Sequence, residues 1–212
     1  MVDSDRGFLT EEEICEVVDD TPRLDRERSA LVLMDFQPAV LGSVDEPSRL
    51  KLVQKAATTL AWARGSDMIV AHVRVAFGDS DFAAIPSRNK AFAALQGGGM
   101  MIDGSPECEI VDDLKPVGDE LVFRKVRFGS FSTTGLGSYL QEKGIDTLIL
   151  AGVSTGGVVL STVRDAADQD FQLYVVADAC GDADSTVHTV LLERVLPHQA
   201  YVIETTELSH LV

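Results

Sequence analysis

The chain has 212 residues, of which 45% are hydrophobic and 25% are charged. This length predicts one domain, or one domain with an appendage, and the composition excludes a disordered chain or a fibrous repeat. The formal net charge of −16 disfavours binding to nucleic acid or to anionic membranes, which are themselves negatively charged. No apolar run approaches the roughly 20 residues that span a bilayer, and the N-terminal residues lack the pattern of a secretory signal.

The first 28 residues are polar and differ from the rest, so we predict an N-terminal arm at 1–28 and a domain at 29–212. Thr10 is a suitable N-cap for a short helix that ends near Val18. The arm either packs on the domain or on a neighbouring subunit, or it is a frayed tail.

Beyond residue 28 the pattern alternates between apolar runs and helical spacing. Six apolar, β-branched runs predict strands at Ala30–Phe36, Asp67–Val75, Glu120–Lys125, Asp146–Gly152, Gln172–Asp178 and Ala200–Glu204. The segments with helical spacing predict helices at Glu46–Arg64, Thr134–Lys143, Thr155–Asp168 and Asp184–Val195. This alternation is typical of an α/β fold with a parallel sheet covered by helices on both faces.

The longest irregular stretch runs from Ala76 to Gly118. It is too long for a plain connection, so we predict a loop that covers a substrate, with a short helix near Asn89–Leu95.

Cysteine and histidine positions follow neither a metal-ligand nor a disulfide spacing: Cys15, Cys108, Cys180, His72, His188, His198 and His210. We therefore expect reduced thiols, a cytoplasmic location and no metal site.

Candidate functional residues stand where predicted strands end, since ligands bind beyond the carboxyl ends of strands in open α/β sheets. Asp35 lies at the end of the first strand and Lys125 at the end of the third. The fourth strand enters a helix through Ser-Thr-Gly-Gly, a turn whose free N–H groups suit an anion. Each feature alone has a structural alternative: Asp35 as a turn acid, Lys125 as a surface lysine, and Asp178 as a cap.

Three blocks give these residues a more specific context. They are ALVLMDFQPAV from Ala30, FRKVRFGSFSTTGL from Phe123, and DTLILAGVSTGGVVLSTVRDAADQDFQLYVVADAC from Asp146. Together they resemble the isochorismatase-like hydrolases, also called the cysteine hydrolase superfamily, over residues 29–205. The resemblance implies a three-layer α/β/α sandwich with a six-stranded parallel sheet in the order 3-2-1-4-5-6.

The resemblance also implies the roles of the site residues. Cysteine members use an Asp that accepts the thiol proton, a Lys that stabilises charge and a Cys that attacks an amide carbonyl. The matching positions here are Asp35, Lys125 and Val158, so this chain lacks the nucleophilic cysteine. The other residues expected at the substrate are Phe36, Gln37, Phe128, Phe131, Ser154, Thr155 and Gly157.

Two functional hypotheses remain open. In the first, Asp35 is a general acid or base and Lys125 an anchor, and the protein hydrolyses a C–O (enol-ether) or C–N bond of a small carboxylate-bearing molecule. In the second, the protein is a catalytically silent relative that binds a small molecule. The resemblance further implies a homo-oligomer, a dimer or tetramer, and no cofactor.

Overall fold

The computed structural model describes residues 21–96 and 99–212, so the predicted helix at Thr10–Val18 and Cys15 lie outside the described residues. Six strands form a parallel sheet in the order β3-β2-β1-β4-β5-β6, as predicted. The strands are β1 (Ser29–Met34), β2 (Ile69–Val75), β3 (Leu121–Lys125), β4 (Thr147–Val153), β5 (Gln172–Gly181) and β6 (Tyr201–Ile203).

The helices connect successive strands of this sheet. They are α1 (Pro38–Leu41), α2 (Glu46–Gly65), α3 (Asp79–Ala83), α4 (Leu136–Glu142), α5 (Leu160–Ala167) and α6 (Ser185–Val190). A π-helical turn, Thr155–Val159, leads into α5, and another, Leu191–Val195, follows α6. Single 3-10 turns occur at Arg26–Arg28, Ala93–Leu95, Pro106–Cys108, Asp112–Leu114, Leu196–His198 and Leu208–His210.

Alternate residues of the central strands face two separate apolar layers, because successive side chains in a strand point to opposite faces. Leu31 and Leu33 of β1 pack in the layer that contains Leu60 of α2. Val32 of β1 packs in the other layer, with Leu140 of α4 and residues of α5. The molecule is therefore the predicted three-layer α/β/α sandwich.

The predicted end of the fifth strand was wrong. The predicted fifth strand ended at Asp178, but β5 continues to Gly181, after a register shift opposite Leu150 and Gly152. Asp178 is therefore not a cap after the strand: it lies within β5, where it accepts hydrogen bonds from Thr205 and pairs with Lys55 at 2.8 Å.

The connection between β2 and β3 also differs from prediction. The predicted short helix near Asn89–Leu95 is only one 3-10 turn, Ala93–Leu95, and α3 precedes it. An apolar cluster with Phe77 and Phe92 at its centre anchors this connection beside the end of β2. The hydrophobic side chains are widely spaced in the sequence, so no helical periodicity marked the segment.

The described end of the predicted arm packs on the domain. Leu24 is buried, and its N–H donates to the Leu211 carbonyl at 2.6 Å. The Tyr174 hydroxyl donates to the Pro22 carbonyl at 2.7 Å. Within residues 21–96 and 99–212, no helix is long and apolar enough to cross a membrane.

Candidate functional site

A buried ion pair joins the ends of β1 and β3. Lys125 Nζ lies 2.8 Å from Asp35 Oδ2, and their side chains are only 3% and 5% exposed. The two strands are separated by β2, a gap of about 10 Å at ordinary strand spacing. The long Lys125 side chain crosses this gap, so the structure brings together two residues that lie 90 positions apart in the chain.

The backbone holds Asp35 in an unusual conformation directly after β1. Its φ of 60° places it in the left-handed region, which ends the strand before Asp35 instead of at the predicted Phe36. The Asp35 N–H donates to the Val73 carbonyl at 2.8 Å, and its carbonyl accepts from the Gln37 N–H at 2.8 Å. These bonds fix the residue from both sides and leave its carboxylate aimed at Lys125.

The Gln37 side chain stabilises the same turn through hydrogen bonds to two other segments. Its side-chain Nε2 donates to the Val75 and Cys108 carbonyls at 2.9 and 2.6 Å, and its Oε1 accepts from the Val75 N–H at 2.8 Å. Both amide hydrogens are therefore used within the protein. In this structure Gln37 ties β1, β2 and the long connection together beside Asp35.

The electrostatic environment favours protonation of Asp35. Burial raises the pKa of its carboxyl to about 6, although the charge of Lys125 and its hydrogen bond act in the opposite direction. Oδ1 of Asp35 is buried and has no hydrogen-bond partner in the described part of the chain. Lys125 Nζ also donates to the Arg127 carbonyl at 3.0 Å, which leaves one of its three hydrogens for another acceptor.

The Ser154–Val159 turn begins beside Asp35. Parallel pairing of β1 with β4 places Met34 opposite Gly152, one residue before Asp35 and two before Ser154. A side chain at Gly152 would not fit, since its Cβ would lie 2.9 Å from the Met34 Cβ and carbonyl oxygen. Close contact between these two strands therefore sets the distance between Asp35 and the turn.

Hydrogen bonds within the protein already use several amides of this turn. The N–H groups of Gly157 and Val159 both donate to the Ser154 carbonyl at 3.2 Å. Gly156 N–H donates to Asp182 Oδ2 at 2.7 Å. The buried Thr155 hydroxyl lies 2.8 Å from His188 Nδ1, so the side chain of this predicted binding residue contacts the helix after β5.

The position predicted to match the family cysteine is apolar and buried. Val158 is 2% exposed and belongs to the same apolar layer as Met34. Cys180 is in that layer too, and burial raises the pKa of its thiol to about 12. A thiol with such a pKa is protonated at neutral pH and is a poor nucleophile.

The three phenylalanines predicted at the substrate lie in different parts of the molecule. Phe128 is half exposed; its ring centroid lies 4.8 Å from that of Phe92, and its Cδ1 lies 3.6 Å from the position a Cβ would take at Gly157. Phe36 is instead buried in the layer under α2. Phe131 packs 6.0 Å from Phe171, which directly precedes β5 and so marks the amino edge of the sheet.

Two residues near the ion pair were not predicted at the site. Phe92, from the long connection, packs against Phe128 with the two rings tilted, and the Arg127 guanidinium carbon lies 5.3 Å from the centre of the Phe92 ring. Of these two residues, Arg127 had a signal in the sequence, since it lies two residues after Lys125.

Neither of two grooves on the described part of the chain contains the ion pair. Two grooves, of about 450 and 270 Å³, lie along α1 and α2 and beside α4, and neither is lined by Asp35 or Lys125. Within residues 21–96 and 99–212, no group of three or more His, Cys, Asp or Glu side chains is placed to hold a metal ion.

Comparison with known proteins identifies the family of this chain. A model of the Isochorismatase domain matches residues 29–207. The phenazine biosynthesis protein PhzD of Pseudomonas fluorescens is 31% identical over 189 residues, which are 87% of this chain and 86% of the relative. Maleamate amidohydrolase of Pseudomonas putida is 27% identical over 164 residues, 76% of each chain.

Solved structures share this fold. A cysteine hydrolase from Pseudomonas syringae superposes with a TM-score of 0.78 at 20% identity, covering 90% of this chain and 97% of that one. The match to the family model extends over nearly all of the described domain and includes both members of the buried ion pair. This chain belongs to the isochorismatase-like hydrolase family.

Proposed function

We propose that this protein hydrolyses a small carboxylate-bearing molecule by general acid catalysis at Asp35, with Lys125 as an anchor and with no covalent intermediate. The observation that supports this function best is the buried Asp35–Lys125 pair, in which the Asp35 carboxyl has a pKa of about 6. At pH 7 about a tenth of such carboxyls carry a proton. This fraction is enough for an acid that is needed once in each turnover.

The proposed reaction breaks the C–O bond of an enol ether. The Asp35 carboxylic acid gives its proton to the terminal enol carbon, which leaves an oxocarbenium ion and the Asp35 carboxylate. Water adds to this cation, and the resulting hemiketal breaks its C–O bond to release a ketone and an alcohol. A proton from the water returns to Asp35, so the enzyme ends the cycle unchanged.

Lys125 has two roles in this proposal. Its ion pair with Asp35 holds the acid in place, and its remaining N–H donates to an oxygen of the substrate. Burial outweighs the opposing charge of Lys125 at Asp35, so the acid keeps a raised pKa despite its cationic neighbour.

The C–O bond is favoured over the C–N bond because the chain has no nucleophile at the family position. Val158 has no reactive atom, and the Cys180 thiol is buried and protonated. Relatives of similar identity bear names from phenazine biosynthesis and from amide hydrolysis, so their names alone do not choose between the bonds. Amide hydrolysis here would require Asp35 to act as a base on water.

The dependence of rate on pH distinguishes these roles. We would measure kcat/KM for an enol ether of pyruvate, for maleamate and for a neutral amide between pH 4.5 and 8.5. An acid role predicts activity on the enol ether that falls as pH rises through about 6, where Asp35 loses its proton. Activity on amides that rises through the same pH would instead identify a general base. Saturable binding without turnover would contradict the proposal and favour a silent binding protein.

Substitution of Val158 by cysteine tests whether the rest of the site can support catalysis by a cysteine nucleophile. Val158→Cys is expected to gain amidase activity that iodoacetamide abolishes, while wild-type activity resists the same reagent because its described thiols are buried. Val158→Ala is the matched control, since it removes the same methyl groups without adding a thiol. Sensitivity of the wild type to alkylation would contradict catalysis without a cysteine.

We also propose that the protein is a homo-oligomer. Val187 and Val190 of α6 are exposed apolar side chains beside the turn that contains Gly156, a surface that suits contact with a second copy. Sedimentation velocity across a hundredfold range of concentration tests this proposal. A single species with the mass of one chain would contradict it.

A further inference from the structure

Four basic side chains lie where β2 and β3 end, and three of them have a carboxylate partner. Lys125 pairs with Asp35 at 2.8 Å. Arg124 pairs with Asp81 at 2.6 Å, and Arg74 pairs with Asp103 at 2.8 Å. The last two pairs also tie the long connection to the sheet. Arg127 is the fourth basic residue, and it differs from the others.

Within residues 21–96 and 99–212, Arg127 takes part in no ion pair. Asp81 is close enough to feel its charge, but Asp81 Oδ2 already accepts from the Gly78 N–H at 2.9 Å and from Arg124. Arg127 Nη1 donates to the Val126 carbonyl, and its other N–H groups are available to an anionic ligand.

The main chain and the side chain of Arg127 face two parts of one site. Its carbonyl accepts the hydrogen bond from Lys125 Nζ at 3.0 Å, so its backbone lies at the ion pair. Its guanidinium carbon lies 5.3 Å from the centre of the Phe92 ring. Phe92 contacts Phe128, and Phe128 reaches Gly157 in the turn beside Asp35. Arg127 therefore begins a continuous rim around the ion pair.

Lys125 has little capacity left for a substrate carboxylate. Two of its three hydrogens are used by Asp35 and by the Arg127 carbonyl. A carboxylate binds best to a guanidinium, whose parallel N–H groups match its two oxygens. The aromatic face of Phe92 also holds the guanidinium in place and shields one side of it from water.

We propose that Arg127 binds the carboxylate of the substrate, so that the enzyme selects small acids whose anionic group lies several bonds from the one that is broken. This inference rests on the proposed function, because it names the group that determines which substrates reach Asp35. Arg127 is then a specificity-determining residue, and Lys125 serves the reacting end of the molecule.

Binding of a dicarboxylate tests this inference without any turnover. Isothermal titration calorimetry would compare maleate with its neutral diamide, maleamide, on wild-type protein and on Arg127→Met. Methionine keeps an apolar stem against Phe92 but removes the charge. We expect the Kd for maleate to rise at least tenfold in Arg127→Met, as for loss of a charged hydrogen bond, and maleamide binding to stay the same.

The controls separate charge at this site from charge in general. Arg194→Met removes an exposed arginine that follows α6, and it is expected to leave the Kd for maleate unchanged. Arg127→Lys keeps the charge without the paired N–H groups, so an intermediate Kd is expected. Equal maleate affinity in wild type and Arg127→Met, or no binding of maleate to wild type, would overturn the inference.

Failure of this inference and failure of the proposed function give different results. Maleate binding that depends on Arg127 and persists in Asp35→Asn, together with no turnover of any substrate by the wild type, would reject the function and keep the carboxylate site. Turnover by Arg127→Met with the wild-type KM for acidic substrates would keep the function and reject the carboxylate site.

Discussion

Two carboxylates beside β3, the buried Asp35 and the partly buried Glu120, have opposite properties. Glu120 directly precedes the strand, and it accepts hydrogen bonds from Arg64 Nε and Nη2 at 2.7 and 2.8 Å and from the Val117 N–H at 3.0 Å. His72 Nε2 lies 3.0 Å from the same carboxylate. Asp35, held by Lys125 at the other end of β3, has one cation and one oxygen without a partner.

Different burial and different partners together produce a large difference in pKa. Burial raises the pKa of Glu120, but the hydrogen bonds from Arg64, Val117 and His72 together lower it to about 2. At Asp35, burial prevails over Lys125, and the pKa rises to about 6. The pKa of each carboxyl group therefore reflects the balance between its burial, which is greater at Asp35 than at Glu120, and the donors that reach its oxygens.

His72 belongs to a cluster with Arg64 and Glu120. Burial lowers the pKa of its imidazole, so the ring is neutral at pH 7. Glu120 is ionised and can only accept hydrogen bonds, which requires the hydrogen of the neutral ring to be on Nε2. We infer a structural role for this cluster and a chemical role for the Asp35–Lys125 pair, and four substitutions test that contrast.

The largest expected effect is the loss of activity in Asp35→Asn. Asparagine keeps the shape of the side chain but cannot give up a proton, so kcat/KM is expected to fall by about 10²- to 10⁴-fold. Steady-state kinetics on the best substrate of the panel measures the change, with circular dichroism to check folding. Activity within tenfold of wild type would remove Asp35 from the proposed mechanism.

Lys125→Met is expected to have the next largest effect. Without its cationic partner, Asp35 stays buried and its pKa rises further above 6. The decline of kcat/KM with rising pH is expected near pH 6 in wild type and at a higher pH in Lys125→Met. KM is expected to increase because the anchor is lost. An unchanged pH profile would show that Lys125 does not control the ionisation of Asp35.

Glu120→Gln is expected to weaken the fold without affecting catalysis. Loss of the charge leaves Arg64 without its anion, so the free energy of unfolding at pH 7 is expected to fall by about 2–3 kcal/mol. Because the folded pKa of about 2 lies below the ordinary glutamate value of 4.5, the Glu120 contribution to stability is present above pH 4.5 and disappears as pH falls towards 2. Urea unfolding across that range measures both effects.

Asp35 provides the opposite control for this linkage. Its folded pKa of about 6 lies above the ordinary aspartate value of 3.8, so its contribution to stability is present below pH 3.8 and is lost as pH rises through 6. Asp35→Asn should remove the change in stability between pH 3.8 and 6 and keep the change between pH 2 and 4.5, whereas Glu120→Gln should do the reverse. Identical slopes in the two variants would refute the contrast between the clusters.

The smallest expected effect is that of His72→Gln. Glutamine can still donate to Glu120, and Arg64 keeps its two bonds, so we expect a loss of about 1 kcal/mol in the free energy of unfolding. Thermal unfolding at pH 7 would measure this loss, with kcat/KM unchanged. A fall in kcat/KM comparable to that of Asp35→Asn would show that the cluster takes part in catalysis.

The fold was predictable because its signals are local. Buried strands such as β1 and β4 are continuous apolar runs, and α2 has a capping Asp45 before it, so sequence neighbours determine each element. The extension of β5 was missed because Asp178 interrupts its apolar run, and only the distant Thr205 and Lys55 make that charge tolerable within a strand.

The candidate site was predictable only in part. Asp35 and Lys125 were found because each stands at the end of a predicted strand, and the sheet order then brings them together. The environment of Arg127 could not be inferred, because Phe92 comes from a connection without periodicity. The bonds of Gln37 to Val75 and Cys108 likewise depend on contacts between distant segments.

The left-handed backbone at Asp35 restricts which acid this position can accept. Aspartate and asparagine adopt a positive φ more readily than other residues with a side chain. Glutamate offers the same chemical group, but it lacks this conformational tolerance, and its longer side chain would extend into the space that Lys125 fills. The backbone at this position therefore disfavours replacement of aspartate by glutamate, independently of any catalytic requirement.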